Sequence, residues 1–339
     1  MAVLYDLITA SNLSGYYEAN PVDRSLGDRL FPSRQQLGLQ LSQIKGGAGA
    51  PVVLKPSAFD TRAVLRGRKP IEFGSYEMPY FKEAMLVKEQ DRQQLNLVSA
   101  SGNQQMIDML INNIFNDQLT LLEAANTRLE AMRMEILATG ALAINDNGVV
   151  KDIDYGVPAE HKGDAEVFWS EDTADPMADL DRVIDIMEND GVTPAIAIMN
   201  SNTFGNIRKS LQAESPTGRI GRAEAMDILM DEFGLTVEIK NGVFVNDEGE
   251  SVKFFPDGVV TLAPSASLGN TVFGTTPEES DLTTGQSNAQ VSIVDSGIAV
   301  TTQQLVDPVN VQTKVSFIGL PSFELADSVY ILNTEAPSI

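Results

Sequence analysis

The longest uninterrupted helical pattern of the chain lies in residues 101–140, which read SGNQQMIDMLINNIFNDQLTLLEAANTRLEAMRMEILATG. No glycine or proline occurs from Gln104 to Thr139, a capping box at Ser101 and Gln104 marks the start, and Gly140 marks the stop. The apolar residues recur at spacings near three, four or seven: Ile107, Ile111, Ile114, Leu121, Ala125, Leu129, Met132 and Ile136. The pattern predicts one helix, about 103–139, with a single buried face. At 1.5 Å per residue it would span roughly 50 Å, about three times a typical globular helix.

Such a helix needs a flat partner, such as a β-sheet, to cover its apolar stripe. A two-stranded coiled coil is the alternative, but the stripe falls short of four clean heptads and carries Gln118 at a core position. Directly after the helix, two apolar segments flank the turn at 145–148 (NDNG), which is a hairpin signature. A helix and one hairpin cannot bury a core alone, so we expect the last strands of the chain to return to this region.

The remainder of the chain alternates helical and strand patterns. Asp175 and Pro176 are a cap and a first-turn residue for a helix that ends near Asp190. Further helices are predicted near 5–17 and at 201–212 and 223–233. Strands are predicted at 195–199, 236–239, 243–245, 252–255, 259–262, 291–294, 298–300, 309–318 and 328–332, whereas 156–175 is expected to be a polar connection and 274–288 a loop. This combination indicates an α+β fold.

The composition excludes several function classes. The 339 residues include 24 Lys and Arg against 47 Asp and Glu, and the resulting net charge of -23 is poorly suited to nucleic-acid binding. There is no cysteine, which removes disulfides, thiolate zinc sites, iron–sulfur clusters and cysteine nucleophiles. The single histidine, His161, excludes a multi-histidine metal centre.

Positive charge is concentrated in one segment. Residues 45–92 contain nine basic and six acidic side chains, so the segment carries +3 and the rest of the chain -26. Three glycines between 46 and 49 form a joint at its start. The segment is either a solvated basic loop or an arm that lies on an acidic surface of another copy. For the second interpretation the candidate inter-subunit contact residues are Lys55, Arg62, Arg66, Arg68, Lys69 and Lys82.

No catalytic, cofactor or metal motif is present. Walker A, G-x-G-x-x-G, G-x-S-x-G and H-E-x-x-H sequences do not occur. His161 lies between charged neighbours in a predicted loop, where we expect it to be exposed to solvent and without function. The acidic cluster lacks the spacing of a calcium loop, which favours a solvated helix face for Asp172, Asp175, Asp179, Asp181 and Asp185. We therefore expect no catalytic residues, no cofactor, no metal and no enzymatic activity.

The sequence also shows no signal peptide and no membrane-spanning segment. The first residues, MAVLYDLITASNLSGYY, have no basic region, and Asp6 interrupts their apolar stretch, unlike a signal peptide. No segment approaches the 18 or more apolar residues of a membrane span. We expect cytosolic synthesis and no membrane association.

Several runs of residues together resemble one family. They are LFPSR at 30–34 with its continuation QQLGLQLSQIKG to Gly46, VVLKPSAFD at 52–60, EMPYFKE at 77–83, LVKE at 86–89, FPDG at 255–258 and PSFELAD at 321–327. In this order, and with the long helix between them, they resemble the phage major capsid protein E family, the lambda-type branch. The resemblance covers essentially the whole chain and implies the Hong Kong 97-type capsid fold. No single run is diagnostic.

The resemblance implies a role for each part of the chain. Residues 1–50 would be the N-terminal arm, and 51–90 an extended β-loop that reaches a neighbouring subunit. Residues 91–155 and 295–339 would form the peripheral domain with its spine helix, and 156–294 the axial domain around the five- and six-fold positions. The implied protein is the major head protein of a tailed double-stranded DNA bacteriophage, located in the virion capsid and assembled in the host cytoplasm.

The resemblance also implies partners. The chain would form pentamers and hexamers, and would require a portal and, because it starts directly with the arm, a separate scaffold protein, with or without a decoration protein. It would enclose double-stranded DNA without sequence-specific binding, since an acidic inner wall keeps DNA from adhering. Two alternatives stay open at this point: an encapsulin-like compartment shell with enzyme cargo, and a soluble acidic hydrolase that would be a monomer.

Overall fold

The computed structural model describes residues 9–19, 25–44, 73–87, 104–146, 149–214, 218–246, 248–285, 289–306 and 310–335, together with positions 89, 90, 93, 94 and 97. The α-helices are α1 (Ala10–Ala19), α2 (Leu26–Leu30), α3 (Gln104–Thr139), α4 (Pro176–Asn189), α5 (Ser201–Glu214), α6 (Arg222–Phe233) and α7 (Pro277–Thr284). The strands are β1 (Ser33–Gln35), β2 (Gln40–Ile44), β3 (Phe73–Glu77), β4 (Tyr80–Val87), β5 (Ala141–Asp146), β6 (Val149–Asp154), β7 (Lys162–Asp164), β8 (Ile196–Met199), β9 (Thr236–Ile239), β10 (Val243–Val245), β11 (Ser251–Lys253), β12 (Val259–Ala263), β13 (Gly269–Phe273), β14 (Gln290–Val294), β15 (Ile298–Gln304), β16 (Val311–Phe323) and β17 (Tyr330–Asn333).

The long helix α3 confirms the helix predicted from the apolar stripe. Six residues of that stripe are buried: Ile114, Leu121, Ala125, Leu129, Met132 and Ile136. Gly140 follows the last helical residue with a φ of 74°, a left-handed conformation that glycine adopts at low cost. The predicted capping residue Ser101 lies outside the described residues. The stripe and the glycine therefore account for the length and the end of this helix.

The chain divides into two compact units. The first unit consists of the described residues within Met1–Ser42, Ser75–Glu130 and Asn270–Ser322. The second unit consists of those within Gln43–Gly74, Ala131–Gly269 and Phe323–Ile339. Each unit contains one large β-sheet.

The sheet of the first unit has the strand order β1-β13-β16-β15-β14, and β4 also pairs with β16. In the antiparallel β4–β16 pair, Phe81 lies opposite Phe317, and their rings stack with centroids 4.8 Å apart. Phe273 of β13 meets Phe317 edge-on at 6.2 Å. The guanidinium of Arg128 on α3 lies 5.7 Å from the Phe81 ring centroid, which is within cation–π range. The first part of the long helix therefore contacts this sheet.

The sheet of the second unit has the strand order β7-β17-β12-β8-β9. Strand β8 is parallel to β9 and antiparallel to β12, so this is a mixed sheet. All four residues of β8 are buried, as the continuous apolar run at this position predicts. Side chains from the sheet and from α4, α5 and α6 form one core, which includes Leu180, Val183, Met187, Met199, Phe204, Ile207, Leu229, Val260, Leu262 and Leu332.

One predicted loop contains a helix. Within 274–288, residues Pro277–Thr284 form α7, so the prediction of a loop there is wrong. The hydroxyl of Thr276 accepts a hydrogen bond from the amide of Glu279 at 3.2 Å, and proline occupies the first helical position. Gly285 ends the helix with a φ of 71°. These capping signals outweigh the polar composition that favoured a loop.

Candidate assembly surfaces

The described residues on either side of positions 45–72 form a pair of neighbouring strands. Strands β2 and β3 pair in a two-stranded sheet, and the amide of Met78 donates to the carbonyl of Leu39 at 2.8 Å. The Ser75 hydroxyl donates to Oε1 of Gln40 at 3.3 Å. The described ends of the chain on either side of residues 45–72 therefore lie side by side. Next to this base, Leu37 is 90% exposed, which leaves an apolar side chain open to a partner.

Of the six predicted contact residues, the structure describes Lys82. It lies on β4 opposite Ser316 of β16, and its side chain is exposed. Its ammonium lies 5.3 Å from the centroid of the Tyr80 ring, which holds the charge against the sheet surface. The other five, Lys55, Arg62, Arg66, Arg68 and Lys69, lie outside the described residues. Their inter-subunit role stays a prediction.

A buried carboxylate connects β4, β16 and α7 in the first unit. The Tyr80 hydroxyl donates to Oε1 of Glu278 at 2.7 Å, and the Lys314 ammonium donates to the same oxygen. Burial opposes ionisation of Glu278, but the hydrogen bonds from Lys314 and Tyr80 outweigh it and lower the pKa of the carboxyl. Burial and the neighbouring Glu278 raise the pKa of Tyr80 to about 12, so the phenol stays a donor at neutral pH. Sequence analysis missed this cluster, although the capping signal Thr276-Pro277-Glu278-Glu279 places Glu278 in a first helical turn.

The N-terminal helix α1 is fixed to the rest of the first unit by Tyr17. The Tyr17 hydroxyl donates to Oδ2 of Asp295 at 2.7 Å and accepts from the Asn126 amide on α3 at 2.7 Å. Burial and the Asp295 carboxylate raise the pKa of Tyr17. Asp295 lies in the β14–β15 turn with a φ of 46°, a left-handed conformation that aspartate tolerates better than most residues. One phenol therefore links α1, the long helix α3 and a hairpin turn.

His161 is buried, so the prediction that it is exposed to solvent is wrong. Its ring is 2% exposed and lies 6.0 Å from the ring of Tyr330 on β17. Its Nε2 lies 2.8 Å from Oδ2 of Asp190, just beyond α4. The charged residues next to His161 in the sequence suggest an exposed position. In the fold, however, β17, which is distant in sequence, covers the ring. His161 is therefore part of the packed interior of the second unit.

Asp179 corrects the interpretation of the acidic cluster as a solvated helix face. Its side chain is buried and accepts hydrogen bonds from the indole of Trp169 at 2.9 Å and from Arg182 at 3.0 Å. Asp175, in contrast, caps α4 by accepting from the amide of Ala178 at 3.0 Å, as predicted. Asp172, Asp181 and Asp185 are exposed, in agreement with the expectation. The cluster thus has one buried member with a structural role.

The second unit also carries a polar hollow beside an exposed hairpin. Asp257 accepts from the side-chain amides of Asn200 at 2.5 Å and Asn202 at 3.1 Å and pairs with Lys253. Partial burial raises the pKa of Asp257, but these partners together lower it. Strands β10 and β11 form the neighbouring hairpin, and on one of its faces Val243 and Val245 are 60% and 68% exposed. A two-stranded hairpin is marginally stable by itself, so this apolar face is a second candidate surface.

Other site classes find little support in the described part of the chain. Across the described ranges, no group of three or more His, Cys, Asp or Glu side chains is placed to hold a metal ion. Among the helices that the structure describes, none is long and apolar enough to cross a bilayer.

The sequence and the fold were compared with those of known proteins. The family model for phage major capsid protein E matches residues 9–333. A structure assigned as the capsid protein of a prophage of Escherichia coli CFT073 has 15% identity and a TM-score of 0.64, with 97% of this chain and 99% of that chain covered. A phage-related protein from Bordetella bronchiseptica RB50 has 13% identity and a TM-score of 0.56, with 96% and 97% covered. The capsid asymmetric unit of cyanophage A-1(L) has 11% identity and a TM-score of 0.52, with 91% and 92% covered. No curated protein matches the sequence.

At these identities the solved structures show the fold, which is the Hong Kong 97-type capsid fold of phage shells. The chain belongs to the phage major capsid protein E family. This family consists of structural proteins that associate into the shell of the phage virion, so the resemblance inferred from the sequence is confirmed.

Proposed function

We propose that this chain assembles into the pentamers and hexamers of an icosahedral head that encloses the double-stranded DNA of a tailed phage. The observation that carries the proposal is the match of the family model to residues 9–333, from the start of α1 to the last residue of β17. The match includes the arm, the basic segment, the long helix and both sheets. Its extent argues against an unrelated enzyme that shares one domain.

The proposal assigns a place in the shell to each part of the chain. Residues 1–50 are the arm, 51–90 the extended loop, 91–155 with 295–339 the peripheral domain, and 156–294 the axial domain. The paired strands β2 and β3 support the assignment of the loop, because they bring the flanks of residues 45–72 together. Lys82 contacts a neighbouring subunit, and so do five basic residues that precede it in the part of the chain that the structure does not describe: Lys55, Arg62, Arg66, Arg68 and Lys69.

The proposal also includes partners and a place of assembly. A separate scaffold protein directs assembly in the host cytoplasm, and a portal with its motor fills one vertex, with or without a decoration protein. The shell itself is a passive wall without enzymatic activity. The net charge of -23 supports this role, because an acidic surface repels packaged phosphate.

The test is expression of the full chain, alone and together with a candidate scaffold protein, followed by gel filtration and negative-stain microscopy. We expect rings of five or six copies, or closed shells. Because packaging needs the portal and its motor, the contents are examined in particles from the native source: duplex DNA there supports the phage head, whereas an enzyme cargo supports a cellular compartment shell. A chain that stays monomeric under all these conditions contradicts both.

A further inference from the structure

Four exposed basic side chains cluster where α5 and α6 meet in the second unit. Arg208 and Lys209 lie on α5, Arg219 precedes α6, and Arg222 is the first residue of α6. We call these four residues the basic corner. Residues 208–222 contain one acidic residue, Glu214, so they carry +3 in a chain whose net charge is -23. This is a denser concentration of positive charge than the +3 spread over residues 45–92.

The fold brings the members of the basic corner to one surface. The side-chain amide of Gln212 on α5 donates to the carbonyl of Ile220 at 3.0 Å, which holds the residues before α6 against the end of α5. Arg208 and Lys209 precede Gln212 by four and three residues, so they lie one turn back on the same side of the helix. Arg219 is adjacent to the residue that Gln212 contacts. Hence the four charges surround a single hydrogen-bonded junction.

The basic corner has no stabilising role that the fold itself explains. Within the ranges that the structure describes, none of its four side chains forms an ion pair, and all four are exposed. Arg219 and Arg222 lie at the amino end of α6, where the helix dipole disfavours cations. Glu224 in the first turn of α6 binds the amide of Gly221 at 3.3 Å. The placement of the arginines therefore costs stability in the isolated chain.

A surface of opposite charge lies on α4 of the same unit. Asp181, Asp185 and Glu188 are exposed and recur at a spacing of four and three residues, which aligns them along one side of the helix. We call these three residues the acidic stripe. Like charges four residues apart destabilise a helix, so the acidic stripe also costs stability in the isolated chain. In the described part of the chain it makes no ion pair with the basic corner.

We infer that the basic corner of one copy contacts the acidic stripe of the next copy around a ring. A ring of identical subunits is built from heterologous contacts, in which two different surfaces of the chain meet and must complement each other. Every copy carries both surfaces, and oppositely charged surfaces speed association and fix its geometry. Four cations release few counterions from duplex DNA, so the electrostatic gain in DNA affinity at this corner is small. This inference rests on the proposed function, because it names a contact within the proposed rings.

The test is a charge swap in the purified full chain. One variant carries Arg208→Glu, Lys209→Glu, Arg219→Glu and Arg222→Glu, and the other carries Asp181→Lys, Asp185→Lys and Glu188→Lys. In each, like charges meet at every contact, so assembly followed by light scattering at low salt should slow about tenfold or more. A chain with both sets of changes should assemble at nearly the wild-type rate, because opposite charges meet again.

Mixing the two variants gives a sharper outcome. Each contact is then favourable only between a copy of one variant and a copy of the other, so the two variants must alternate around a ring. Alternation is possible with six copies and impossible with five, and the mixture should therefore restore six-membered rings but not five-membered ones. Ring sizes are counted by negative-stain microscopy or native mass spectrometry.

The controls separate this contact from folding, from DNA binding and from the proposed function. Asp231→Lys with Glu232→Lys, an exposed acidic pair on α6, should leave assembly unchanged. Thermal unfolding monitored by Trp169 fluorescence verifies folding, and if a reversal variant unfolds, Arg219→Ala with Arg222→Ala should still reduce the salt dependence of assembly. Normal assembly of a folded reversal variant, no rescue by the double set, or loss of DNA binding without loss of assembly would each overturn the inference. A wild-type chain that never forms rings overturns the proposed function as well.

Discussion

The indole nitrogen of Trp169 donates a hydrogen bond to Oδ2 of Asp179 at 2.9 Å, and both side chains are buried in the second unit. The other carboxylate oxygen accepts from the amide of Glu166 at 3.1 Å and from Arg182 at 3.0 Å. Asp179 therefore joins the segment before α4 to the helix itself. Because a buried carboxylate with three donors is satisfied, it is stable there despite the loss of solvent.

The first prediction is that Asp179→Ala lowers the free energy of unfolding by about 3 kcal/mol, since it leaves the Trp169 indole and the Glu166 amide without an acceptor. Trp169 is the single tryptophan of the chain, so denaturation followed by its fluorescence reports on this unit. Asp181→Ala, an exposed aspartate two positions along α4, is the control and should change the stability of the monomer by less than about 0.5 kcal/mol. Equal stability of the two variants would show that the Asp179 hydrogen bonds are not important.

Much of the fold could be predicted where local signals are strong. The apolar stripe and Gly140 define α3, and Asp175 with Pro176 defines the start of α4, because these patterns depend on residues close in sequence. The helix α7 was missed because its eight residues, six of them polar, carry no apolar period, and only its caps indicate it. The pairing of β4 with β16 joins residues more than 200 positions apart, which no local pattern can indicate.

The candidate surfaces were less predictable for the same physical reason. His161 and Asp179 lie among charged neighbours in the sequence, so a local pattern places them in solvent. Their burial depends on Tyr330 and Trp169, which arrive from other elements of the fold. The basic corner is visible in the sequence as four cations within 208–222, but only the contact between Gln212 and Ile220 shows that they share one surface.

The second prediction concerns the pH dependence of the first unit. The pKa of Glu278 is lower in the folded chain than the ordinary value of about 4.3 that we expect in the unfolded chain. The ionised carboxylate therefore adds to the free energy of unfolding above that value, and this stabilisation is lost as the pH falls through the folded pKa. Glu278→Gln should lower the free energy of unfolding near neutral pH by about 2 kcal/mol. The difference from the wild type should shrink below about pH 4.

Urea unfolding followed by circular dichroism at several pH values measures this difference. Asp281→Asn is the matched control, because Asp281 is an exposed carboxylate on the same helix, and its effect should be small at every pH. A Glu278→Gln effect that does not change between neutral and acidic pH would contradict the role of the ionised carboxylate.

The third prediction tests the buried face of α3. Ile114 is 9% exposed, and Ile114→Asp would bury an unpaired carboxylate at a cost of several kcal/mol, about 3 or more. We expect insoluble or unassembled protein. Asn113→Asp introduces the same charge at the exposed neighbouring position and should assemble normally in the microscopy assay. Shells of normal yield from Ile114→Asp would mean that this side of the helix is not buried.

The fourth prediction tests the basic segment between subunits. Changing Arg62, Arg66 and Arg68 to Glu should leave the monomer folded, because surface charges contribute little to stability. Assembly should fail or become unusually sensitive to salt, since repulsion replaces attraction at a repeated contact. The same three arginines changed to Lys keep their charge and should assemble. Unaffected assembly of the Glu variant at low salt, or loss of monomer folding, would contradict the contact.

The last prediction concerns DNA. Outside residues 45–92 the chain carries -26, and we expect part of that excess to face the lumen of the proposed shell. Free subunits should bind duplex DNA weakly or not at all at roughly 0.15 M salt, where the Debye length is about 8 Å, because phosphate affinity depends on clustered Lys and Arg that displace counterions. A mobility-shift titration of the unassembled chain measures this. The basic corner, which carries +3, is the surface most able to contradict this expectation. Tight DNA binding that is lost both with added salt and with the Arg219→Glu and Arg222→Glu changes would show that the basic corner binds DNA. If the wild type shows no shift, which is the result we expect, the basic corner does not bind duplex DNA under these conditions, and its proposed contact with a neighbouring copy stands.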